Sequence, residues 1–493
     1  MDNFIKEWLD NCKWWFSKTE KIDNYIINKY EYLLDLEPNI TQYNFLSYIV
    51  LYDQIPRHIF RNQDGNHIIL YFLNKAIDII NTYKNQANNL NEIEWTFFML
   101  PLRHTNTKDN ILYVLNEAWN YKSLPKEFII ATYKKANFKE ELNEKISLTF
   151  NDDVLDYKPK QKINLNFGNH DLGNFNLIEK YIKNIGIISL SGGVDSMVCL
   201  VYCMTVYPDI NWVCVHINYK NRGVSDDEAE FIANFCYKHN IKLYVREINE
   251  INRNKCMNMR EIYEDYTRKV RFNTYKAVSN NPVVILGHNK DDAFENILTN
   301  ITYNFKYNNL KGMDEYSVCD NITFLRPLLN VSKNDIYQFA QKHNIPYVKN
   351  STPDWSQRGK IRNNIVPVLN NWDNRVVPGL FNLSENIQDM YLIMEINVNI
   401  IVNKFRQDGN SYELQLSQNE LIHYLHKLIW KEIIYKLFNC YPSNKSLIAL
   451  IERLNLWLKQ KKHTKIIINK NIIMKITPIT KDNIILLLSI NNN

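Results

Sequence analysis

The sequence predicts a multidomain protein: an all-α N-terminal domain, a doubly wound α/β domain on a parallel sheet, and a small α+β C-terminal domain. Three observations predict it. Up to about residue 150, aromatic and aliphatic residues recur every three or four positions, as in "NFLSYIVLYDQ" and "HIILYFLNKAIDIINTY", which is the period of an amphipathic helix. From Leu177, short β-branched runs alternate with helical stretches, as parallel strands joined by crossover helices do. Beyond Pro378, helical stretches lead into a strand-rich end. At 493 residues the chain is too long for one ordinary core, and with 45% hydrophobic residues each part can bury an interior.

Taken in order, residues 1–150 form the helical domain. Its polar motif members are Asp53, Arg57 and Arg61 in "LYDQIPRHIFRN", and Arg103 and His104 in "FFMLPLRHTN". They either line a groove or form a buried ion network that fixes helix packing. Residues 151–176, "NDDVLDYKPKQKINLNFGNHDLGNFN", break the pattern with Asp, Asn, Gly and Pro and read as a linker. "INLNF" within it alternates like a strand. In residues 177–378, "IGIISL", "WVCVHI", "KLYVREI" and "VVILG" read as buried strands. Ser225 and Glu228 between the second and third have capping-box spacing. In residues 379–493, "LSENIQDMYLIMEINVNIIVNKF", "NELIHYLHKLIWKEIIYKLF" and "SLIALIERLNLWLKQ" read as helices, and "TKIIIN", "NIIMKIT" and "NIILLLSI" as strands.

Composition excludes some classes. The net charge of +6 permits a polyanionic partner without demanding one. The eight cysteines include no Cys-x-x-Cys pair, so neither a zinc ribbon nor a dithiol site is indicated. The start, "MDNFIKEWLDNC", lacks the layout of a signal peptide. No apolar run approaches the roughly 20 residues that span a bilayer. A soluble, cytoplasmic protein with free thiols and no membrane partner is expected.

The richest stretch is "IGIISLSGGVDSMVCL", Ile185 to Leu200. A buried strand meets two glycines and then a helix, and ligands of parallel sheets sit beyond the carboxyl ends of strands. The glycines let successive backbone N–H groups turn toward one point, and the helix N-terminus adds its positive end. Ser191 and Ser196 add hydroxyls. That is a cradle for phosphate. Asp195 would repel bare phosphate, so it argues for Mg²⁺ bridging carboxylate and pyrophosphate. There is no Gly-Lys-Ser/Thr, so this is no Walker A loop.

Ser-Gly-Gly-x-Asp-Ser resembles the pyrophosphate loop of the N-type ATP pyrophosphatases, the PP-loop superfamily. The resemblance implies that Ser191, Gly192, Gly193, Val194, Asp195 and Ser196 hold ATP, with Asp195 on Mg²⁺. Downstream, "LGHNKDDAFENILTNI" resembles the Gly-His-His-x-Asp-Asp-Gln-x-Glu-Thr motif of tRNA(Ile)-lysidine synthases: Gly287, His288, Asp291, Asp292 and Glu295 match, while Asn289, Ala293 and Asn296 depart. "EDYTRKVRFNTY" is similar to the family's Ala-Arg-x-x-Arg-Tyr through Arg268 and Arg271, with Phe272 for Tyr. "RGKIRNNIVPVL" is similar to Arg-Asn-x-Ile-Arg through Arg358, Ile361 and Arg362, with Gly359 for Asn, and "FLRPLL" matches a stretch between these motifs. His216 stands where the family begins a His-containing turn, with Tyr219 in place of a second His.

The resemblance implies an enzyme that adenylates a tRNA anticodon cytidine with ATP and ligates free lysine, releasing AMP and pyrophosphate. Asp195, His288, Asp291 and Glu295 would be catalytic, the last three shaping the lysine and cytidine pocket. Arg268, Arg271, Arg358 and Arg362 would contact nucleotide or tRNA. Two alternatives stand beside it: another adenylating tRNA-modifying enzyme of the superfamily, whose thiolases usually carry the Cys-x-x-Cys that is absent here, or a degenerate RNA-binding scaffold. The tail, with Lys459, Lys461, Lys462, His463 and Lys465, is similar to the tRNA-holding appendages of lysidine synthases. The N-terminal motifs resemble an uncharacterised, all-helical, tetratricopeptide-like bacterial family, through which a protein partner or the rest of the chain would be contacted.

Overall fold

The structure is a computed structural model that describes residues 1–17, 19–61, 66–138, 140, 142–144, 152–158, 163, 172–251, 259–303, 309–349, 357–460, 464–479 and 483–490. The N-terminal part holds α1 (Asp2–Asp10), α2 (Glu20–Tyr30), α3 (Phe45–Ile59), α4 (Asn66–Tyr83), α5 (Glu92–His104), α6 (Lys108–Asn120) and α7 (Lys126–Lys135). A short β1 (Leu155–Tyr157) and α8 (Leu177–Tyr181) follow. Then strands and helices alternate: β2 (Ile185–Ser189), α9 (Val194–Val206), β3 (Asn211–Asn218), α10 (Ser225–Lys238), β4 (Lys242–Glu247), α11 (Arg260–Val278), β5 (Val283–Ile285) and α12 (Lys290–Tyr303). A hairpin of β6 (Tyr316–Cys319) and β7 (Ile322–Leu325) leads to α13 (Lys333–Lys342) and β8 (Tyr347–Val348).

The central sheet runs β4-β3-β2-β5-β7-β6, parallel except for the edge strand β6. Its inner strands β3, β2, β5 and β7 are largely buried on both faces, which is why they read as continuous apolar runs, while the edge strand β6 is mostly exposed. Ile187, Val215, Val284 and Phe324 join one hydrophobic cluster, while their neighbours Ile188, Cys214, Ile285 and Leu325 join the other. Chain order reverses direction at β2, which pairs β3 on one side and β5 on the other. Such a switch point opens a crevice at the strands' carboxyl ends. The β6–β7 turn, Asp320-Asn321, has both residues at positive φ (53° and 60°), the geometry of a tight hairpin.

The capping box expected at Ser225 and Glu228 does not form. Val224 is the N-cap of α10, and no side chain caps it. Upstream Arg222 takes Glu228 instead, Nη2 to Oε2 at 2.6 Å. Burial pushes the Glu228 carboxyl up to about 7 against the pull of Arg222.

The N-terminal helices and the sheet share a core. The cluster on the Ile187 face continues through Tyr263, Tyr266 and Val270 of α11 to Ile129 and Tyr133 of α7 and on into α3 and α5. The junction also has a polar clamp. Arg246 of β4 donates Nε to Glu140 (2.8 Å) and Nη2 to Glu250 (2.6 Å), and Glu250 further accepts from Tyr266 and, through its carbonyl, from Tyr133. Asn143 and Glu144 pair with the β4 edge, Val245 donating to the Asn143 carbonyl at 3.0 Å. Half of the stretch expected to be a linker, including nearly all of "INLNF", lies outside the described residues. Its described part is packed: β1 pairs β8, and Phe175 is buried and stacked on Tyr202 at 3.9 Å.

The remaining elements are α14 (Gln357–Lys360), a π-helical turn over Ile361–Ile365, α15 (Val366–Trp372), α16 (Val376–Val402), β9 (Arg406–Asp408), β10 (Ser411–Ser417), α17 (Gln418–His423), α18 (Lys427–Phe438), α19 (Asn444–Gln460), β11 (Thr464–Ile467), β12 (Ile472–Pro478) and β13 (Asn483–Ile490). The C-terminal sheet is antiparallel, ordered β11-β12-β13-β10-β9. Its core unites Leu414, Leu486 and Ile476 with Trp430 and Leu454 from the helices. Lys461, Lys462 and His463 lie outside the described residues.

By compactness the chain divides into Met1–Lys290 with Asp314–Pro353, and Asp291–Met313 with Asp354–Asn493. His288 therefore belongs to the first unit, and Asp291 and Glu295 to the second. No helix among the described residues is long and apolar enough to cross a membrane.

Candidate active site

In the first unit, the loop after β2 is built by its own small residues. Gly192 adopts φ +82°, and a Cβ there would stand 2.8 Å from Val348 Cγ2, so the position requires glycine twice over. Gly193 is the N-cap of α9 with no side-chain cap, and the N-terminus of a helix is the end that favours anions. Ser196 is buried: its hydroxyl donates to the Gly193 carbonyl (3.0 Å) and accepts from the Ser191 amide (3.2 Å). The two serine hydroxyls lie 3.1 Å apart. Ser196 thus braces the loop, and the amides remain the principal donors. Val194 is buried and contributes only backbone. His216, also buried, donates Nδ1–H to the Leu190 carbonyl at 2.8 Å and so pins the loop's entrance.

Asp195 sits at the start of α9 between two donors from elsewhere in the fold. Asn289 Nδ2 reaches its Oδ1 at 3.0 Å, and Lys333 Nζ its Oδ2 at 2.5 Å. Asn289, a departure from the family motif, keeps a hydrogen-bond donor on this carboxylate. Lys333 was not singled out from sequence, yet a signal existed. It is the first residue of α13, behind the capping Ser332, where a cation opposes the helix dipole. A residue placed against its local preference has a partner elsewhere.

Gly287, at the end of β5, backs directly onto the loop. A Cβ there would stand 2.8 Å from the Ser196 nitrogen and 2.9 Å from the Asp195 carbonyl carbon, both backbone atoms that cannot yield cheaply. Gly287→Ala is expected to cost about 1–3 kcal/mol of stability and to displace the loop; urea denaturation with ATP titration checks both. His288 follows. Its Nδ1 accepts from Arg326 Nε at 3.2 Å, so neutral His288 carries its proton on Nε2. Arg326, from "FLRPLL", is held in turn by the Asp314 carbonyl (2.7 Å) and Ser317 (2.9 Å).

Arg268 and Arg271 do not share an environment. Arg268 is exposed and paired with Asp265 at 3.0 Å. Arg271 turns inward beside Tyr219 and Tyr275, and Tyr275 donates to Ser189 at the end of β2 (2.7 Å). Phe272, where the family has Tyr, packs on Phe324 of β7.

In the second unit, Glu295 is 2% exposed and grips Arg362, which places Nε at 2.9 Å and Nη2 at 2.7 Å from Oε1. Arg362 also approaches Asp292 (3.5 Å), and Arg358 lies 4.0 Å from Glu295. Burial raises the Glu295 pKa, and Arg362 opposes the rise. Glu295 therefore holds the π-helical segment in place, a geometry frequent at functional sites. Asp292 is a second carboxylate at the Arg362 guanidinium.

The N-terminal polar motifs form buried networks. Asp53 accepts from Arg57 (3.1 Å), His104 (2.8 Å) and Gln54, while Asp23 holds His58 (2.6 Å) and Arg61 (3.1 Å). Arg103 joins neither ion pair.

Among the described residues, no three His, Cys, Asp or Glu side chains converge as a metal site. A divalent cation at Asp195 would therefore draw most of its oxygen ligands from phosphate and water, as Mg²⁺ in nucleotide sites does.

A parallel sheet with a glycine phosphate loop at its switch point defines a nucleotide-using α/β domain, and the comparisons agree. Residues 172–369 match the PP-loop domain family, and residues 4–143 match the family described as bacterial protein of unknown function (DUF924). The chain thus carries a PP-loop domain behind a DUF924 region. Among curated relatives, the tRNA(Ile)-lysidine synthase of Staphylococcus aureus (strain MRSA252) is 27% identical over 270 residues, 51% of this chain and 61% of that protein. That of Malacoplasma penetrans is 25% identical over 244 residues, covering 48% and 80%. The match thus spans under two thirds of the staphylococcal protein. Among solved structures, the U34-tRNA thiolase NcsA from Methanococcus maripaludis aligns at 20% identity and a TM-score of 0.34, over 42% of this chain and 74% of that one.

Proposed function

We propose that this chain is a tRNA-modifying ATP pyrophosphatase of the lysidine-synthase type. The observation that carries the reading is the loop Ser191–Ser196, whose uncapped helix N-terminus and braced backbone stand beside Asp195 and Lys333. Amides of the loop bind the β and γ phosphates. Mg²⁺, when bound, supplies charge neutralisation on the phosphate oxygens, with Asp195 as its protein ligand. Lys333 orients that carboxylate and adds a second positive charge.

The cytidine O2 attacks the α-phosphorus as the bond to the β-phosphate oxygen breaks, and pyrophosphate departs. The base is now activated at C2. The ε-amine of free lysine forms the new C–N bond there, loses a proton, and AMP leaves with the former O2. His288, its ring oriented by Arg326 at Nδ1, serves the substrate beside the loop. Asp291 and Glu295, with Arg358 and Arg362, serve the lysine and tRNA side of the reaction. Arg268, exposed on α11, is available to phosphate, while Arg271 orders the sheet end beside Tyr275.

With radiolabelled ATP, tRNA and lysine, the labelled products are expected to be AMP and pyrophosphate. ADP as the main product would refute the reading. Binding of tRNA is expected to weaken steeply with salt, because each neutralised phosphate releases counterion. Replacing Lys461, Lys462 and Lys465 together should flatten that slope while leaving ATP affinity intact; filter binding at several salt concentrations measures it.

A further inference from the structure

Arg103, near the end of α5, is only 7% exposed, yet its Nε makes no hydrogen bond and no carboxylate among the described residues lies within ion-pair reach of it. Its one close partner is the face of Phe128, 5.0 Å from the guanidinium carbon. Buried arginines are ordinarily paired, because a desolvated cation without a counter-ion is costly and a ring face returns little of that. The surroundings deepen the imbalance. Arg57 and Lys135 add positive charge to the same region, against the single carboxylate of Asp53, which Arg57 and His104 already occupy. Around the guanidinium, positive charge outweighs that one carboxylate.

Arg103 and Phe128 also form part of the wall of a pocket of about 380 Å³, whose other surfaces include Trp15 and Phe97. Glu92 and Glu127 line it as well. We propose that this pocket binds a small aryl or alkyl monocarboxylate, its carboxylate on the Arg103 guanidinium and its apolar body between Trp15, Phe97 and Phe128. The planar fork of arginine matches a carboxylate with two parallel hydrogen bonds. The two glutamates in the wall repel anions in proportion to charge, so they disfavour a doubly charged phosphate more than a singly charged acid. This site lies in the helical region and is independent of the reading of the PP loop.

Calorimetric titration of the full chain with 3-phenylpropionate, and with its uncharged amide, tests the proposal. Saturable binding of the acid is expected, with the amide at least tenfold weaker. Arg103→Gln should weaken the acid at least tenfold and leave the amide unchanged, and Ala131→Trp, which fills the pocket from another wall position, should abolish both. If Arg103→Gln fails to fold by circular dichroism, the acid-to-amide ratio in the unaltered chain and the Ala131→Trp result decide. No saturable binding, equal affinity for acid and amide, or undiminished binding in Ala131→Trp would each overturn the assignment.

Discussion

Replacing Asp195 with alanine is expected to lower AMP and pyrophosphate release by about 10²–10³-fold, the range for losing one preorganised electrostatic group at a reacting phosphate. Folding should lose about 1–3 kcal/mol at most. Asp195 and Lys333 are partly exposed, whereas Asn289 is fully buried and gives up its bond to the carboxylate. Lys333→Met separates two contributions: it keeps the carboxylate but removes its orienting cation, so it should raise the KM for ATP more than it lowers kcat. Near-normal turnover in Asp195→Ala, with an unchanged urea midpoint, would remove the metal-ligand role. Steady-state kinetics beside denaturation curves gives both readouts.

The second large effect concerns stability. Arg246 is mostly buried between Glu140 and Glu250, themselves nearly inaccessible. Arg246→Ala would leave two desolvated carboxylates without their cation, a loss of about 3–5 kcal/mol by the usual cost of breaking a buried ion pair. The pH dependence has a definite sign. Burial alone would raise the Glu250 pKa, but the hydrogen bonds and charge of Arg246 hold it below the ordinary 4.5. A carboxyl depressed in the folded state contributes stability that is full above 4.5 and fades as pH falls through the folded value. The native protein should therefore lose this contribution only in acid, and Arg246→Ala should flatten that part of the stability–pH curve. Urea midpoints from pH 3 to pH 7 measure it; an unchanged curve would show that the clamp contributes nothing.

Because Arg246 ties β4 to Glu140 while α7 packs on α11, the same variant should loosen the N-terminal helices from the sheet. That connection was not legible in the sequence. Periodicity reports the nature of each element, and here it reported well: β2, β3, β4 and β5 fell within a residue or two of the apolar runs that marked them, because strands buried on both faces leave a continuous signature. It does not report which elements share a core. The cluster joining Ile129 of α7 to Ile187 of β2 depends on contacts far apart in sequence, as does the unit uniting residues 291–313 with residues 354–493.

The misses had physical causes. The hairpin β9–β10 was overlooked although Asp408-Gly409 is a turn signal ahead of the alternating "SYELQLS". Ser225 and Glu228 failed as a capping box because Arg222 offered a charge-assisted bond that the backbone could not match. The strand, glycine turn and helix start around residues 185–200 were legible because glycine and helix-start chemistry are local. Lys333 and Arg326 were not assigned roles, since each acts through a partner that only the folded sheet brings near.

Mass spectrometry of nucleosides from tRNA(Ile) incubated with the protein, ATP and lysine tests the ligase reading. The predicted result is a cytidine gaining one lysine with loss of water, formed only when all three are present and absent with Asp195→Ala. Unmodified cytidine under conditions where the protein binds both tRNA and ATP would contradict it.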